Sequence, residues 1–400
     1  MRKKTAKIHS LDDAVSLAHK RIPKGVMQKF RGSSGIGLTT RRNREALEQI
    51  EFLPRAAVFN VQPQLETTIV GQRVAMPLYL SSVGGLKAGH VGGELAVARS
   101  AGRAGTIQMV SGVTSTPIED IVAQATGPVF QQLYYFDNKG DITAAAIERC
   151  EAAGVAALVL LGDSPTYGVP EIPYRERAFA PTGMTVWDAL RFMPQMLRRP
   201  AWTWDFIRDG MNLPMAAMAV DASGKTLGFA EAVSAHFRSA TNWADLPWIR
   251  EHWEGPIIMK GIVSVHSARR AVEEGIDAIV VSNHGGNSLD GTVPTIEALP
   301  PIVDAVGDQI EILVDGGFKR RSDVMKAVAL GARAVGMGRG YVYPLLAAGE
   351  PGIDHILAMY RQQMLDTLRW LGVGSVHELG RSFVRLPGEP IRDGGASPTS

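Results

Sequence analysis

The sequence predicts an α/β fold, a TIM (β/α)8 barrel carrying a long insertion after its fourth strand. Three observations predict it. Eight short apolar runs recur along the chain, each ending in polar or glycine residues, as strands buried on both faces do. Amphipathic segments of helical length separate them, and helices that join parallel strands close eight such units into a barrel. The 400 residues, 45% hydrophobic and 20% charged, suffice to bury one large core.

In chain order the expected strands are Pro77–Ser82, Thr106–Ser111, Val129–Tyr134, Ala157–Asp163, Pro256–Gly261, Ala278–Gly285, Ile312–Gly317 and Ala334–Arg339. The expected helices include Gly92–Ala104, Ile142–Ala153, Ser267–Glu274 and Asp323–Leu330. Ser267 is the expected cap after strand five, and Ser322-Asp323 the cap after strand seven. Residues 164–250 break the rhythm, with helical pieces around Val186–Leu197 and Trp202–Gly210. A connection this long reads as a lid or binding insertion. Its stripe of Val186, Trp187, Leu190, Met193 and Leu197 suits packing, with a membrane-facing surface as the alternative. The resulting organisation is one domain over 1–386, with an N-terminal helical segment 1–60 and a flexible polar tail 387–400.

Composition removes several classes of function. A net charge of +2 without a basic stripe argues against nucleic acid. The one cysteine, Cys150, cannot form an internal disulfide and fits a reducing compartment. The basic N-terminus lacks an apolar stretch after it, and no run is long enough to span a bilayer, so a cytoplasmic protein is expected. No metal is expected.

Barrel enzymes work where strands end. Those ends supply Ser81, Ser82, Ser111, Gln132, Tyr134, Asp163, Lys260, Ser282, Asn283, His284, Asp315 and Arg339. Structural need alone favours small or capping residues there, not His, Lys, Tyr and Arg together. Of nine histidines, only His284 directly follows a buried run, and two glycines after it let backbone approach a flat ligand. A strand-end Lys260 calls for an anionic partner, either a ligand or a carboxylate such as Asp163. Asp315-Gly316-Gly317 and Gly336-Met337-Gly338-Arg339 look like paired phosphate loops after strands seven and eight, with Lys319, Arg320 and Arg339 adding charge.

These segments resemble the FMN-dependent α-hydroxy acid oxidase and dehydrogenase family over nearly the whole chain. The resemblance runs through RIPKGV (Arg21–Val26), NREAL (Asn43–Leu47), FQQLY, LVLLGDSP, IIMKGI, SNHGGNSLDG, DGGFKRRSDVMKAVALGARAVGMGR and GEPGI from Gly349. It implies bound FMN, with His284 as the base, Asp163 orienting it, and Tyr134 beside the substrate. It further implies flavin contacts from Ser82, Val83, Gly84, Ser111, Gln132, Lys260 and Ser282, with Lys260 at flavin N1 and O2. Phosphate contacts would come from the Asp315, Gly316, Gly317, Lys319, Arg320, Gly338 and Arg339 segment, Lys319 standing where the family has arginine. A homo-oligomer, commonly a tetramer, is also implied.

The departures bear on substrate. The family's arginine after the HGG motif is Asn287 here, its second carboxylate-binding arginine aligns with Pro170, and its early tyrosine with Lys29. Losing a bidentate Arg–carboxylate fork costs several kcal/mol of binding, so a small 2-hydroxy acid is disfavoured. The mycofactocin-system branch resembles this chain at SNHGGN-x-LDG, RRPAWTWDF and GSVHEL (Gly374–Leu379). It implies a peptide-derived substrate whose C–N bond is oxidised by deamination to an α-keto amide. GIGLTTRRN and SSVGGL diverge from that branch, which leaves a relative with another substrate open. Three alternatives stand beside it: a 2-hydroxy acid enzyme with atypical carboxylate binding, a non-catalytic flavin protein, and a cysteine-dependent nucleotide dehydrogenase. Cys150, away from any strand end, disfavours the last. Oxygen, a quinone or a carrier protein are equally open as electron acceptor.

Overall fold

The computed structural model describes residues 5, 7–58, 62–135, 140–166, 186–209, 218–220, 226 and 241–391, side chains at 186–191 excepted. Eight parallel strands close a barrel: β1 (Leu78–Leu80), β2 (Gln108–Val110), β3 (Val129–Gln132), β4 (Ala157–Leu161), β5 (Ile257–Ile262), β6 (Ala278–Val281), β7 (Glu311–Asp315) and β8 (Ala334–Met337). Each lies on one of the expected runs. β8 returns to β1 through the pairing of Gly336 with Tyr79.

Strand side chains alternate between the barrel interior and the surrounding helices. Tyr79, Met109, Phe130, Val159, Ile258, Val280, Leu313 and Ala334 fill the interior with Ile69 and Val74. The latter two come from an antiparallel hairpin, Thr67–Ile69 with Gln72–Val74, packed on this interior cluster. The opposite parity, including Leu78, Leu80, Val110, Leu158, Leu160 and Val314, joins the large core beneath the helices.

The helices after β1 and β3, Gly93–Arg103 and Asp141–Ala153, fall as expected. Two caps need correction. The helix after β5 is Val265–Glu273, and its cap is Ser264, whose hydroxyl accepts from Ser267 N–H at 3.2 Å. Two serines three positions apart each satisfy the capping rule, and the helix begins three residues earlier. After β7 the helix is Arg321–Ala329, so Ser322 and Asp323 lie inside it. Asp323 reaches back to accept from Arg320 N–H at 2.8 Å and Lys319 N–H at 3.0 Å.

The N-terminal segment forms Leu11–Arg21, Lys24–Arg31 and Leu38–Gln49. The insertion supplies Val186–Leu197 and Pro200–Arg208. Trp202, 4% exposed, donates from Nε1 to Ala88 O at 3.1 Å and stacks on Phe206, while Phe192 meets it edge-on. This part of the insertion therefore packs on the loop after β1. Met193 and Leu197 of the expected stripe are exposed, and the side chains of Val186, Trp187 and Leu190 lie outside the described residues. Among the described residues no helix is long and apolar enough to cross a membrane. Most of the tail, 392–400, also lies outside them.

Candidate active site

Two residues beyond each interior apolar position lies the next inward one. On β1, β2, β3, β5, β6 and β7 that step carries the chain from Tyr79 to Ser81, Met109 to Ser111, Phe130 to Gln132, Ile258 to Lys260, Val280 to Ser282 and Leu313 to Asp315. All six polar residues are buried. The polar ring is thus the layer directly above the sealed apolar one, at the C-terminal end of the barrel.

His284 follows β6 with φ +55°, and Gly285 and Gly286 continue at +61° and +82°. Left-handed backbone is costly for a residue with a Cβ, and it concentrates at functional sites. Its Nδ1 lies 3.3 Å from Asp163 Oδ1 and 3.4 Å from Ser164 Oγ. Asp163 is brought there by Gly261, φ +103°, where an added methyl would sit 2.5 Å from the aspartate Cβ. Burial raises the Asp163 carboxyl, but the His284 imidazole and, more weakly, Lys260 and Ser164 outweigh it and hold the group below the usual range.

The carboxylate that meets Lys260 is Asp315, with Nζ to Oδ2 at 3.1 Å. Lys260 also donates to Ser282 Oγ at 2.7 Å, and Ser282 donates to Asp315 Oδ1 at 2.5 Å. Ser81 donates to Asp315 Oδ2 at 2.7 Å, and His284 N–H donates to Ser282 Oγ at 3.2 Å. Asp163, the carboxylate expected as an alternative partner, binds the histidine instead.

The β1 and β2 ends lie against one another. A methyl on Gly84 would stand 2.5 Å from Val113 Cγ2 and 3.1 Å from Ser111 Oγ, and one on Gly338 would stand 3.3 Å from Val83. Ser82 is half-buried beside Val83, Gln132 is buried, and half-buried Tyr134 covers Gly112 so closely that a Cβ there would clash with its ring.

In the loops expected to hold phosphate, Gly316 and Gly317 take φ +104° and +85°. Gly338 caps the ten-residue helix Arg339–Ala348, leaving N–H groups at its start. Burial, and next the Arg339 and Arg44 guanidiniums, hold the Lys319 ammonium below its usual range. Three cations crowded this way suit a dianion. Arg44 is also bonded to Asp323, Nη2 to Oδ1 at 2.9 Å, and Arg339 donates to the carbonyls of Phe30, Gly32 and Gly285. Arg320 points outward to Glu48 at 3.3 Å and is largely exposed. A glycine cradle, surplus positive charge and a polar ring under it fit the phosphate and ring of FMN.

Asn287 is exposed and turns its Nδ2 onto His284 O at 3.0 Å. Lys29 places Nζ 3.5 Å from Gly85 O, and burial, opposed by Glu94, lowers its ammonium to about 8. Pro170 lies outside the described residues. Sequence reasoning missed three contributors. Ser164 hid behind Asp163 in the same motif. Asn43 exchanges amide bonds with Asn283. Asp290 accepts the N–H groups of Ile36, Leu38 and Thr39 at 3.1, 3.1 and 2.8 Å, though LDG reads locally as a turn. Cys150 is buried in Asp141–Ala153, and burial pushes its thiol up to about 12, so it is no nucleophile.

Known proteins resemble this chain in sequence and fold. The profile of the family described as FMN-dependent dehydrogenase matches residues 18–386. The chain is 37% identical over 393 residues to pre-mycofactocin synthase of Mycolicibacterium smegmatis, covering 96% of this chain and 95% of the relative. It is 36% identical over 388 residues to L-lactate dehydrogenase of Alcaligenes faecalis, covering 95% and 100%. The crystal structure of the monotopic membrane protein (S)-mandelate dehydrogenase superposes with a TM-score of 0.87 at 30% identity, covering 95% of this chain and 99% of that one. With its barrel, its polar ring and this match over almost its full length, the chain belongs to the FMN-dependent dehydrogenase family and is an FMN-dependent oxidoreductase.

Proposed function

We propose that the enzyme oxidises a C–OH or C–NH2 carbon in a neutral or amine-bearing, peptide-derived substrate, with His284 as the base. The observation that carries this reading is Asn287. Where an arginine fork would grip a carboxylate, a neutral amide folds back onto the carbonyl of the catalytic histidine. Pre-mycofactocin synthase among the relatives supports it. So does an arginine-to-leucine variant of mandelate oxidase solved with 2-hydroxy-phenylacetamide, a neutral amide, which matches this chain at 32% identity and a TM-score of 0.77.

Asp163 and Ser164 occupy His284 Nδ1, which leaves Nε2 to take the proton from the substrate oxygen or nitrogen. The Asp163 carboxylate then stabilises the imidazolium. FMN supplies the hydride acceptor. Ser82, Val83, Gly84, Ser111, Gln132, Ser282 and Lys260 would hold its ring, and Gly316, Gly317, Lys319, Gly338 and Arg339 its phosphate, whereas Arg320, expected there, turns outward to Glu48. Tyr134 would close the substrate side.

A second reading, oxidation of a 2-hydroxy acid, is favoured by Lys29, one cation at the β1 end of the mouth. Anaerobic mixing of the FMN-loaded enzyme with hydroxy acids, their amides and amino-lactams separates the two. Bleaching of the flavin by amides or amino-lactams supports the first; bleaching by free hydroxy acids alone overturns it.

A further inference from the structure

We propose that Asp315 sets the charge that Lys260 presents at the barrel mouth, and so sets the reduction potential of the bound flavin. This rests on the reading in which Lys260 faces the flavin N1–O2 edge. Four strands bring the group together: Ser81 from the end of β1, Lys260 from β5, Ser282 from the end of β6 and Asp315 from β7. Their exposures are 4, 3, 0 and 6%, so water screens them little.

Three donors converge on the carboxylate. Oδ2 takes Ser81 Oγ and Lys260 Nζ, and Oδ1 takes Ser282 Oγ. Ser282 in turn accepts from Lys260 and from the His284 backbone N–H, so its one proton is directed at Asp315. The geometry is therefore fixed from every side. A reduced flavin is negative around N1 and O2, and a lone ammonium there would favour reduction strongly. A carboxylate 3.1 Å from that ammonium offsets a large part of its field. The mouth then presents a weakened positive field in place of that of a lone ammonium. Asp315 is a charge-setting residue: its carboxylate field opposes that of Lys260 at the flavin and acts there whether or not the lysine is present.

The test is the two-electron midpoint potential of the FMN-loaded protein, by dye equilibration, with the sulfite affinity of the bound flavin as a second readout. Asp315→Asn should raise the potential by about 30 mV or more, equivalent to about tenfold in the reduction equilibrium, and should tighten sulfite binding. Lys260→Met should lower both. The double variant Lys260→Met/Asp315→Asn leaves no unpaired buried charge, and its potential should lie well above that of Lys260→Met alone. If Lys260→Met lowers the potential while Asp315→Asn leaves it unmoved, or the double variant equals the lysine single, the role of Asp315 is refuted and that of Lys260 stands. If Lys260→Met changes nothing, the placement of Lys260 at the flavin fails and the proposal with it. Should Asp315→Asn not fold, the double variant decides alone.

Discussion

Asn43 and Asn283 exchange two hydrogen bonds across 240 positions of sequence, the Nδ2 of each donating to the Oδ1 of the other at 2.9 and 2.8 Å. Asn43 Oδ1 also accepts from Thr295 N–H at 3.2 Å, and Asn283 donates to Val293 O at 3.0 Å. Both are almost fully buried. The N-terminal helix Leu38–Gln49 is thereby fastened to the residue before His284.

Asn43→Ala should therefore leave buried amide groups on Asn283 unmet. The expected loss is about 1–3 kcal/mol of stability, measured by urea unfolding. Because the same contact holds the His284 turn, the rate of substrate-dependent flavin reduction should fall too.

His284→Ala should slow anaerobic flavin reduction by about 10²–10⁴-fold without displacing FMN. Asp163→Asn keeps the shape but removes the charge that supports the imidazolium, so it should fall in the same direction. Since the Asp163 carboxyl is held low in the folded chain, its contribution to stability is present above its unfolded value and is lost as pH falls through the folded one. Acid unfolding of Asp163→Asn should accordingly be shallower than that of the parent. Rates at the parent level in stopped-flow traces of His284→Ala would remove the histidine from the mechanism.

Lys29 gives a prediction of opposite sign. Burial lowers its ammonium to about 8, below the ordinary value for lysine. Between about 8 and 10.4 the unfolded chain binds more protons, so stability rises with pH across that window. At pH 7 the full cost of the buried charge is present. Lys29→Met should then be more stable by roughly 1–3 kcal/mol after allowance for partial solvent screening, and the difference should shrink by pH 10. Denaturant melts at the two pH values check it; equal stability at both would show that the ammonium is well solvated.

Asn287→Arg should restore one arm of a carboxylate clamp. We expect tighter binding of free hydroxy acids, by about tenfold or more from a charge-assisted fork, seen as perturbation of the flavin spectrum. Amide binding should not improve. A variant that gains nothing toward acids would mean that the side chain at this position does not face substrate.

The barrel was legible because each strand writes its own ending. IIMKG and AIVVSNHG pass from apolar residues to charged or polar ones at the point where a buried strand must stop. His284, Asp163 and Lys260 could be named for that reason. Which charge meets which could not. Lys260 and Asp315 stand on β5 and β7 with β6 between them, and only closure of the barrel brings their side chains to 3.1 Å. Asp290 and Asn43 were hidden more deeply, because their partners lie some 250 residues away and nothing local distinguishes them from turn or surface positions. The Ser264 cap was missed for a smaller reason, a choice between two equivalent serines.

The parity of the strands has a bearing on how such an enzyme changes over time. The polar ring here stands on strand ends, one inward step above a layer that fills the tube. The residues that depart from family habit, Asn287 and Lys29, sit on a turn and a peripheral helix. New substrates can then be recruited by altering the rim, while the tube and its redox machinery are inherited intact.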